Sequence, residues 1–550
     1  MFSGLVSERR RPWMETAANW RKRRFRPRTG SGEMLAYFAQ DCKENPKALY
    51  YSLYESVRLK QLLKALVVLV ALYLFLDTVP TSYMWMTMPI VDTPALLLGR
   101  DAASMTFDTN FNAETDLLHL INLNDVCVEE KESVISWAYN SSTVDRSLVL
   151  TPDMDPNDLL RALSECPDVD IFLPASIRDH GYCEDGMAYV KYLHARALPA
   201  WVFDMEFQSS QGKTITYFDL CPKSALLFMN HYWYDLPARP SFPPTKKIIM
   251  MPNVEMYELT AAHYRRVDYI FAKTQDAFLR INAWYTQDGN PRNVKVIYTQ
   301  HTSSDPTLLA RLRAQADPAA FPIQPKNFSA FSVLHVNGRS VHKNTRAVLD
   351  CWRTRPDFPK LSIYAKDERS KRHYDTLFRS SAPTNIDYHF GEEVDPLKFG
   401  KLLAEASVIL CPSAMEGFGH YINQARAAGA LVATTNGYPM NEFVDDDSGV
   451  LIDAELFKPP IWNSDFWSLG QVMGRHYKVV RNWRIASGME WVVTPGAICD
   501  AVDRMLQMTP AEREGRAKEG LQRYLTQLQY FQQTMFAFRV EVRDVVDELH

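Results

Sequence analysis

The chain has 550 residues, 46% hydrophobic and 23% charged. That exceeds what a single core needs, and the ordinary globular balance speaks against long disorder. The formal net charge of −4 hides an asymmetry: residues 1–64 carry fourteen Lys and Arg against six Asp and Glu, so the remainder is acidic and a nucleic-acid-binding body is excluded.

Residues 1–60 read as a basic tail, with Glu8-Arg-Arg-Arg11 and Arg21-Lys-Arg-Arg24 inside it. The apolar run Ala65–Leu76 follows Leu62, Leu63 and Lys64, and more apolar residues run from Tyr83 to Val91 beyond Asp77 and Pro80. The unbroken run is slightly short for a span of about twenty residues, but Lys64 can snorkel to the interface. A basic flank, an apolar run and a large acidic remainder predict a signal anchor over 61–90 with the C-terminal body outside the cytosol. It lies too far from Met1 for an ordinary cleaved leader. A buried core helix and a membrane-surface helix are the alternatives. The anchored reading makes this a single-pass type II membrane protein of the Golgi or endoplasmic reticulum with a luminal body.

Residues 91–167 read as stem and accessory structure, with a strand at Leu148 and a helix from Pro156. From 168 to 313 apolar strands alternate with helices: Asp170–Leu173, Ala200–Phe203, Ala225–Met229, Ile248–Met251, Tyr269–Ala272 and Val294–Tyr298. The loop from His180 to Gly186 leads into a helix ending near Ala197. This alternation predicts a mostly parallel, doubly wound sheet. The Pro- and Ala-rich stretch 314–325 reads as an interdomain linker, a second α/β domain occupies 326–500, and 501–550 reads as helices packing back on the first lobe. Cys127, Cys166, Cys183 and Cys221 cluster in the first lobe or its stem, enough for two disulfides of unassigned pairing. Cys351, Cys411 and Cys499 are scattered, and no spacing fits a zinc site. Asn140-Ser-Ser and Asn327-Phe-Ser are glycosylation sequons.

Two motifs in the second domain carry chemistry. The strand Phe331–Val336 runs into Asn337-Gly338-Arg339-Ser-Val-His-Lys343-Asn344 and then a helix from Thr345 to Trp352. Two cations four residues apart in such a loop can converge on one phosphate, Arg as a fork and Lys as a point charge. Between the apolar runs Ala406–Leu410 and Ala430–Ala433 lies Glu416-Gly417-Phe418-Gly419-His420, followed by a helix through Gln424. Glycines admit backbone N–H groups to a ligand, and the helix start aims its positive dipole end at the same place. A nucleoside diphosphate fits that description. Thr435-Asn-Gly-Tyr-Pro-Met-Asn-Glu442 is either a loop beside that site or an ordinary Gly-Pro turn.

From about 168 to 530 the chain resembles retaining, Leloir-type glycosyltransferases of the GT-B fold, in the family-4 group. The resemblance rests on Gly338, Arg339 and Lys343 and on Pro412, Ser413, Glu416, Gly417, Phe418 and Gly419. It implies two Rossmann-like doubly wound lobes facing across a cleft. It implies that Arg339, Lys343, Gly338, Gly417, Phe418 and Gly419 hold a donor diphosphate, and that Glu416 faces the donor sugar. Position 424, where the family motif ends in Glu, is Gln424 and would take the ribose hydroxyls through neutral bonds. The implied activity is transfer of a hexose-type sugar from a UDP- or GDP-sugar to a carbohydrate-bearing acceptor, without metal or cofactor.

Acceptor chemistry should sit at the C-terminal ends of first-lobe strands. Asn230-His231-Tyr232 and Asn253-Val254-Glu255 meet that condition, making His231 and Glu255 candidates beside the acceptor hydroxyl, with Thr299-Gln-His301 a third. A membrane-anchored, catalytically weak or inactive sugar-binding scaffold of the same fold is the alternative. An epimerase or phosphorylase on a similar frame is another.

Overall fold

The computed structural model describes residues 61, 64–70, 113–140, 149–208, 212–255, 259–456 and 490–548. The chain divides into two compact units, Met1–Pro89 and Ile90–His550. In the first, residues 61 and 64–70 are helical and Leu66, Val67, Val68, Leu69 and Val70 are exposed. The basic tail 1–60 and the rest of the expected anchor lie outside the described residues. Among the described residues, no helix is long and apolar enough to cross a membrane.

The second unit holds two large sheets and, among the described residues, two small two-stranded ladders. The first sheet contains β1 (Val134–Ser136), β2 (Val149–Leu150), β3 (Val169–Phe172) and β4 (Arg196–Leu198). A small separate ladder, β5 (Phe207–Gln208) with β6 (Thr214–Ile215), intervenes before β7 (Ala225–Met229), β8 (Ile248–Met251), β9 (Tyr269–Ala272) and β10 (Lys295–Tyr298). The sheet order is β10-β9-β8-β7-β3-β4-β1-β2. The six strands from β10 to β4 run parallel, whereas β1 is antiparallel to both β4 and β2. Strands β3, β7, β8 and β9 are buried throughout, as continuous apolar runs covered on both faces must be.

Three readings of this region change. The lobe does not begin at 168: β1 and β2 extend its sheet, and the helix Ala113–Glu129 places Leu120, Leu123 and Val126 in the same core as Ile171 and Phe271. The described part of the expected stem is therefore part of the lobe. The helix after β3 spans His180–Tyr192 and stops short of Ala197, because His194 turns the chain at φ 51° and Arg196–Leu198 is a strand. Ala200–Phe203, read as a strand, is a 3-10 turn that follows Pro199.

The second sheet comprises β11 (Val333–Gly338), β12 (Leu361–Ala365), β13 (Ile386–Phe390), β14 (Val408–Cys411), β15 (Leu431–Thr435) and β16 (Val450–Ile452). Its order is β13-β12-β11-β14-β15-β16, all parallel. This is the dinucleotide-fold order, with the crossover direction reversing between β11 and β14. His335 on β11 ties these neighbours together, its Nδ1 lying 2.9 Å from the Leu410 carbonyl oxygen and its Nε2 2.9 Å from Thr345 Oγ1. Burial pushes this imidazole down to about 4, so it is neutral in that role.

The segment 314–325 starts as the last turn of the helix Thr307–Ala316. That helix lies against Pro396–Glu405 at Gly400, where a Cβ would come within 2.2 Å of the Pro306 carbonyl oxygen. The helix Pro495–Gln507 belongs to the second-lobe core through Ile498, Val502 and Met505. Only the 39-residue helix Pro510–Glu548 returns, placing Phe531, Met535 and Phe538 in the first-lobe core. Disulfides join Cys127 to Cys183, Cys166 to Cys221 and Cys351 to Cys499, while Cys411 is free and buried.

Candidate functional site

The reversal between β11 and β14 leaves a crevice beyond their C-terminal ends, the usual ligand position in open α/β sheets. Two loops meet there. After β11, Gly338 takes φ 55° and the chain makes a 3-10 turn over Val341–Lys343, closed by Asn344 at φ 61°. After β14, Ala414 N donates to the His342 carbonyl at 2.7 Å, fixing one loop on the other. Lys343 Nζ thereby reaches Glu416 Oε1 and sits 3.4 Å from the centroid of the Tyr421 ring. Ser413 Oγ donates to the same Glu416 oxygen at 2.5 Å and also contacts Tyr421 Oη. Arg339 is exposed, so of the two cations it is Lys343 that is held in the crevice.

The glycine loop abuts the first lobe. A Cβ on Gly417 would come within 2.2 Å of Glu255 Oε1, so only glycine lets that carboxyl lie against the loop backbone. Gly419 takes φ 97° as the residue capping the helix His420–Ala427. Phe418, expected among diphosphate contacts, is 2% exposed, with its ring edge-on to His301, His420 and Phe443. Its role is packing between lobes. Burial pushes the Glu255 carboxyl up to about 7, and Glu416 and Asp185 act in the same direction against Lys273. Glu255 Oε2 has no hydrogen-bond partner among the described residues. It is a carboxyl that can carry or release a proton near neutrality.

Behind it lies a buried charged cluster. Both oxygens of Asp185 accept from Lys273 Nζ, at 3.0 and 2.9 Å. Asp185 Oδ1 is 3.0 Å from His301 Nε2 and 3.1 Å from His420 Nε2. Burial opposes its ionisation, but Lys273 and His420 hold Asp185 well below the usual carboxylate range. Burial brings His301 down to about 4. Asp185, His301 and His420 have the residue types and spacing of a metal group, yet Lys273 already supplies the cation to both carboxylate oxygens. The chain carries Asp-x-Asp triplets at 153–155, 168–170 and 445–447; of these, Asp155 caps the helix Pro156–Leu163, Asp168 pairs with Arg543, Asp170 with Arg196, and Asp445 with Arg523.

Gln424 is spent on an interlobe contact. Its Nε2 donates to Glu184 Oε1 at 3.0 Å, and Glu184 also accepts from Ser304 N at 3.0 Å and Ser304 Oγ at 2.5 Å. A carboxylate at 424 would face Glu184 with like charge. Glu442, from the Gly-Pro loop after β15, reaches across as well and accepts from Gln275 N and Asp276 N, both at 2.7 Å, at the start of the helix Gln275–Asp288. Burial and the nearby Asp276 push Glu442 up to about 8.

His231 follows β7, where Asn230 Nδ2 donates to its Nδ1 at 3.0 Å and the Tyr232 ring lies 4.0 Å away. Asn230 Oδ1 accepts from Asn253 N at 3.0 Å, so the loops carrying His231 and Glu255 are fastened together. The structure thus gathers Lys343, Glu416, the glycine loop and Glu255, with His301 behind them, and leaves Arg339 exposed. Glu184, Asp185, Lys273 and Glu442 were not singled out by residue type. The one signal available for Glu184 and Asp185 was their place just after an apolar strand.

No protein-family model matches the chain, and no curated protein matches it. Among solved structures it is similar to alpha,alpha-trehalose 6-phosphate synthase from Burkholderia multivorans, with 12% identity, TM-score 0.40, and 59% of this chain and 71% of that one covered. A second is Anabaena HepE in complex with UDP and glucose, with 12% identity, TM-score 0.40, and coverage of 67% and 97%. A third is sucrose-phosphate synthase from Thermosynechococcus elongatus, with 14% identity, TM-score 0.37, and coverage of 60% and 79%. Likenesses this distant leave the strand order and the local geometry as the ground for any reading.

Proposed function

We propose that this protein is a retaining GT-B glycosyltransferase that moves a hexose-type sugar from a UDP- or GDP-sugar to a hydroxyl of a glycan, glycoprotein or glycolipid. The observation that carries the reading is the convergence of Lys343, Glu416 and the loop Gly417–Gly419 at the reversal of the second sheet. There a cation and backbone amides can receive a diphosphate while a carboxylate faces the sugar. In a front-face displacement the bond from anomeric carbon to diphosphate oxygen breaks as the acceptor oxygen bonds to the same face. The acceptor proton passes to the departing diphosphate oxygen, so no strong protein base is needed. Lys343 and the loop amides would stabilise the growing negative charge, and one such donor is worth about 3 kcal/mol of barrier. Glu255 and His231 are the residues we assign to the acceptor side, and no metal or cofactor is invoked.

We further propose a type II orientation in the Golgi or endoplasmic reticulum membrane through residues 61–90. Support comes from the exposed apolar helical residues Leu66 to Val70, which water does not favour. Three disulfides fit an oxidising lumen.

The test is thermal unfolding of the full-length chain with UDP, GDP and their sugars, comparing wild type with Arg339→Ala/Lys343→Ala. A ligand at a hundred times its Kd adds about 2.7 kcal/mol of stability. A shift with one nucleotide class that vanishes in the double variant supports the reading; no shift from folded protein overturns it. The scaffold alternative draws on one observation, the engagement of Gln424 by Glu184. Donor binding without donor hydrolysis or transfer would favour it.

A further inference from the structure

A cavity of about 230 Å3 lies where the two lobes and the C-terminal helix meet, lined by Lys273 from the first lobe, Arg426 and Glu442 from the second, and Arg523, Thr526 and Gln527 from the helix Pro510–Glu548. Two of its three cations are neutralised: Lys273 by both oxygens of Asp185, and Arg523 by Asp445 and Glu519. Arg426 differs. It is 2% exposed, and its Nη1 donates only to neutral amide oxygens, Asn423 Oδ1 at 2.6 Å and Gln527 Oε1 at 2.9 Å. Its Nε has no partner, and no ion pair holds it among the described residues. The Asp445 carboxylate acts on it from a distance but is paired with Arg523, and a buried guanidinium with no ion pair of its own is unfavourable unless an anion joins it. Burial moves Arg426 down to about 9, which still leaves it charged at neutral pH.

We propose that this cavity binds a small phosphate-bearing anion on Arg426, either inorganic phosphate or a short phosphate monoester. Size decides against larger ligands, because pockets for drug-sized molecules start at about 300 Å3. Charge decides against a neutral polyol, which would leave the guanidinium uncompensated. Tyr298 and Gln300 add a hydroxyl and an amide to the wall, and a phosphate can accept several such bonds at once. The Glu442 carboxyl, pushed up to about 8, is largely protonated at neutral pH and does not repel the anion. An anion there would touch both lobes and the returning helix. Gln527, which also donates to the His301 carbonyl at 2.5 Å, would connect it to the cluster behind the candidate site, so that its binding would couple to lobe closure.

The test is thermal unfolding of the full-length chain against inorganic phosphate and, separately, glycerol 3-phosphate, with chloride balancing ionic strength. Wild type, Arg426→Gln, Thr526→Trp and Lys343→Ala are compared. Thr526→Trp fills the cavity while keeping every charge, and decides the matter where Arg426→Gln does not fold. Expected is a saturable rise in Tm that persists in Lys343→Ala, with apparent affinity at least tenfold weaker in Arg426→Gln and Thr526→Trp. Tighter binding of glycerol 3-phosphate would identify the monoester as the occupant, and equal or weaker binding the inorganic ion. Absence of a saturable shift in wild type, its survival in the cavity variants, or its loss in Lys343→Ala, which would move the anion to the proposed donor site, overturns the proposal.

Discussion

Gln424 Nε2 donates to Glu184 Oε1 at 3.0 Å, joining the glycine-loop helix of the second lobe to the helix His180–Tyr192 of the first. The bond uses the amide N–H of Gln424, which a carboxylate at 424 could not supply. Gln424→Glu should set two carboxylates against each other and lower stability by about 1–3 kcal/mol. Adding Glu184→Gln should recover most of that loss, with the amide and carboxylate exchanged. A double-mutant cycle in urea checks this, and additivity of the two substitutions would sink it.

A Cβ at position 417 would fall where the Glu255 carboxyl already lies. Gly417→Ala should push the Glu255 carboxyl off the loop, at a cost of about 1–3 kcal/mol. Because the obstructing atoms end a flexible side chain, Glu255→Ala should restore most of the stability of the Gly417→Ala variant. If Glu255 also contributes near the acceptor, turnover should stay low in the pair while Tm returns.

Two buried carboxyls predict a pH profile. Glu255, pushed up to about 7, and Glu442, pushed up to about 8, each bind a proton in the folded state that the unfolded chain releases near 4.5. The folded state therefore holds more protons in that interval, and stability falls as pH rises, by at most about 1.4 kcal/mol per unit for each group. Glu255→Gln should remove its share of the slope between pH 4.5 and 7. Glu442→Gln should flatten the curve as far as pH 8. Unchanged slopes in chemical denaturation across pH would contradict these positions.

The disulfide between Cys351 and Cys499 closes a sequence separation of 148 residues and fastens the helix Thr345–Thr354 to Pro495–Gln507. Replacing both cysteines by serine should lower unfolding free energy by about 2–5 kcal/mol, with Lys343-dependent nucleotide binding retained at low temperature. Mass spectrometry of the non-reduced chain should find the three pairs named above.

The sequence disclosed the architecture where the physics was local. Ala225–Met229, Ile248–Met251 and Tyr269–Ala272 could be bounded to the residue, since buried parallel strands are unbroken apolar runs between polar breaks. β1 escaped because three residues carry no period, while the strand expected at Leu148 stands one residue on as β2. Ala200–Phe203 misled because it is apolar, yet follows Pro199 as a turn. Glycines marked the loops that bring Lys343 to Glu416. Nothing marked the meeting of Asp185 with Lys273, 88 residues apart, or of Glu442 with the helix start at Gln275. Such contacts are products of lobe apposition, to which no local pattern corresponds.

The helix Pro510–Glu548 bears on the order in which the molecule can be made. Phe531, Met535 and Phe538 fill a core whose first-lobe members, among them Ile171, Tyr189 and Phe271, precede them by more than 230 residues. During synthesis the first lobe emerges early but lacks one wall until the helix Pro510–Glu548 leaves the ribosome. A chain halted before Phe531 would carry two sheets and an open apolar face, a species prone to associate with its neighbours. Completion of the first lobe thus waits until the second lobe has been made.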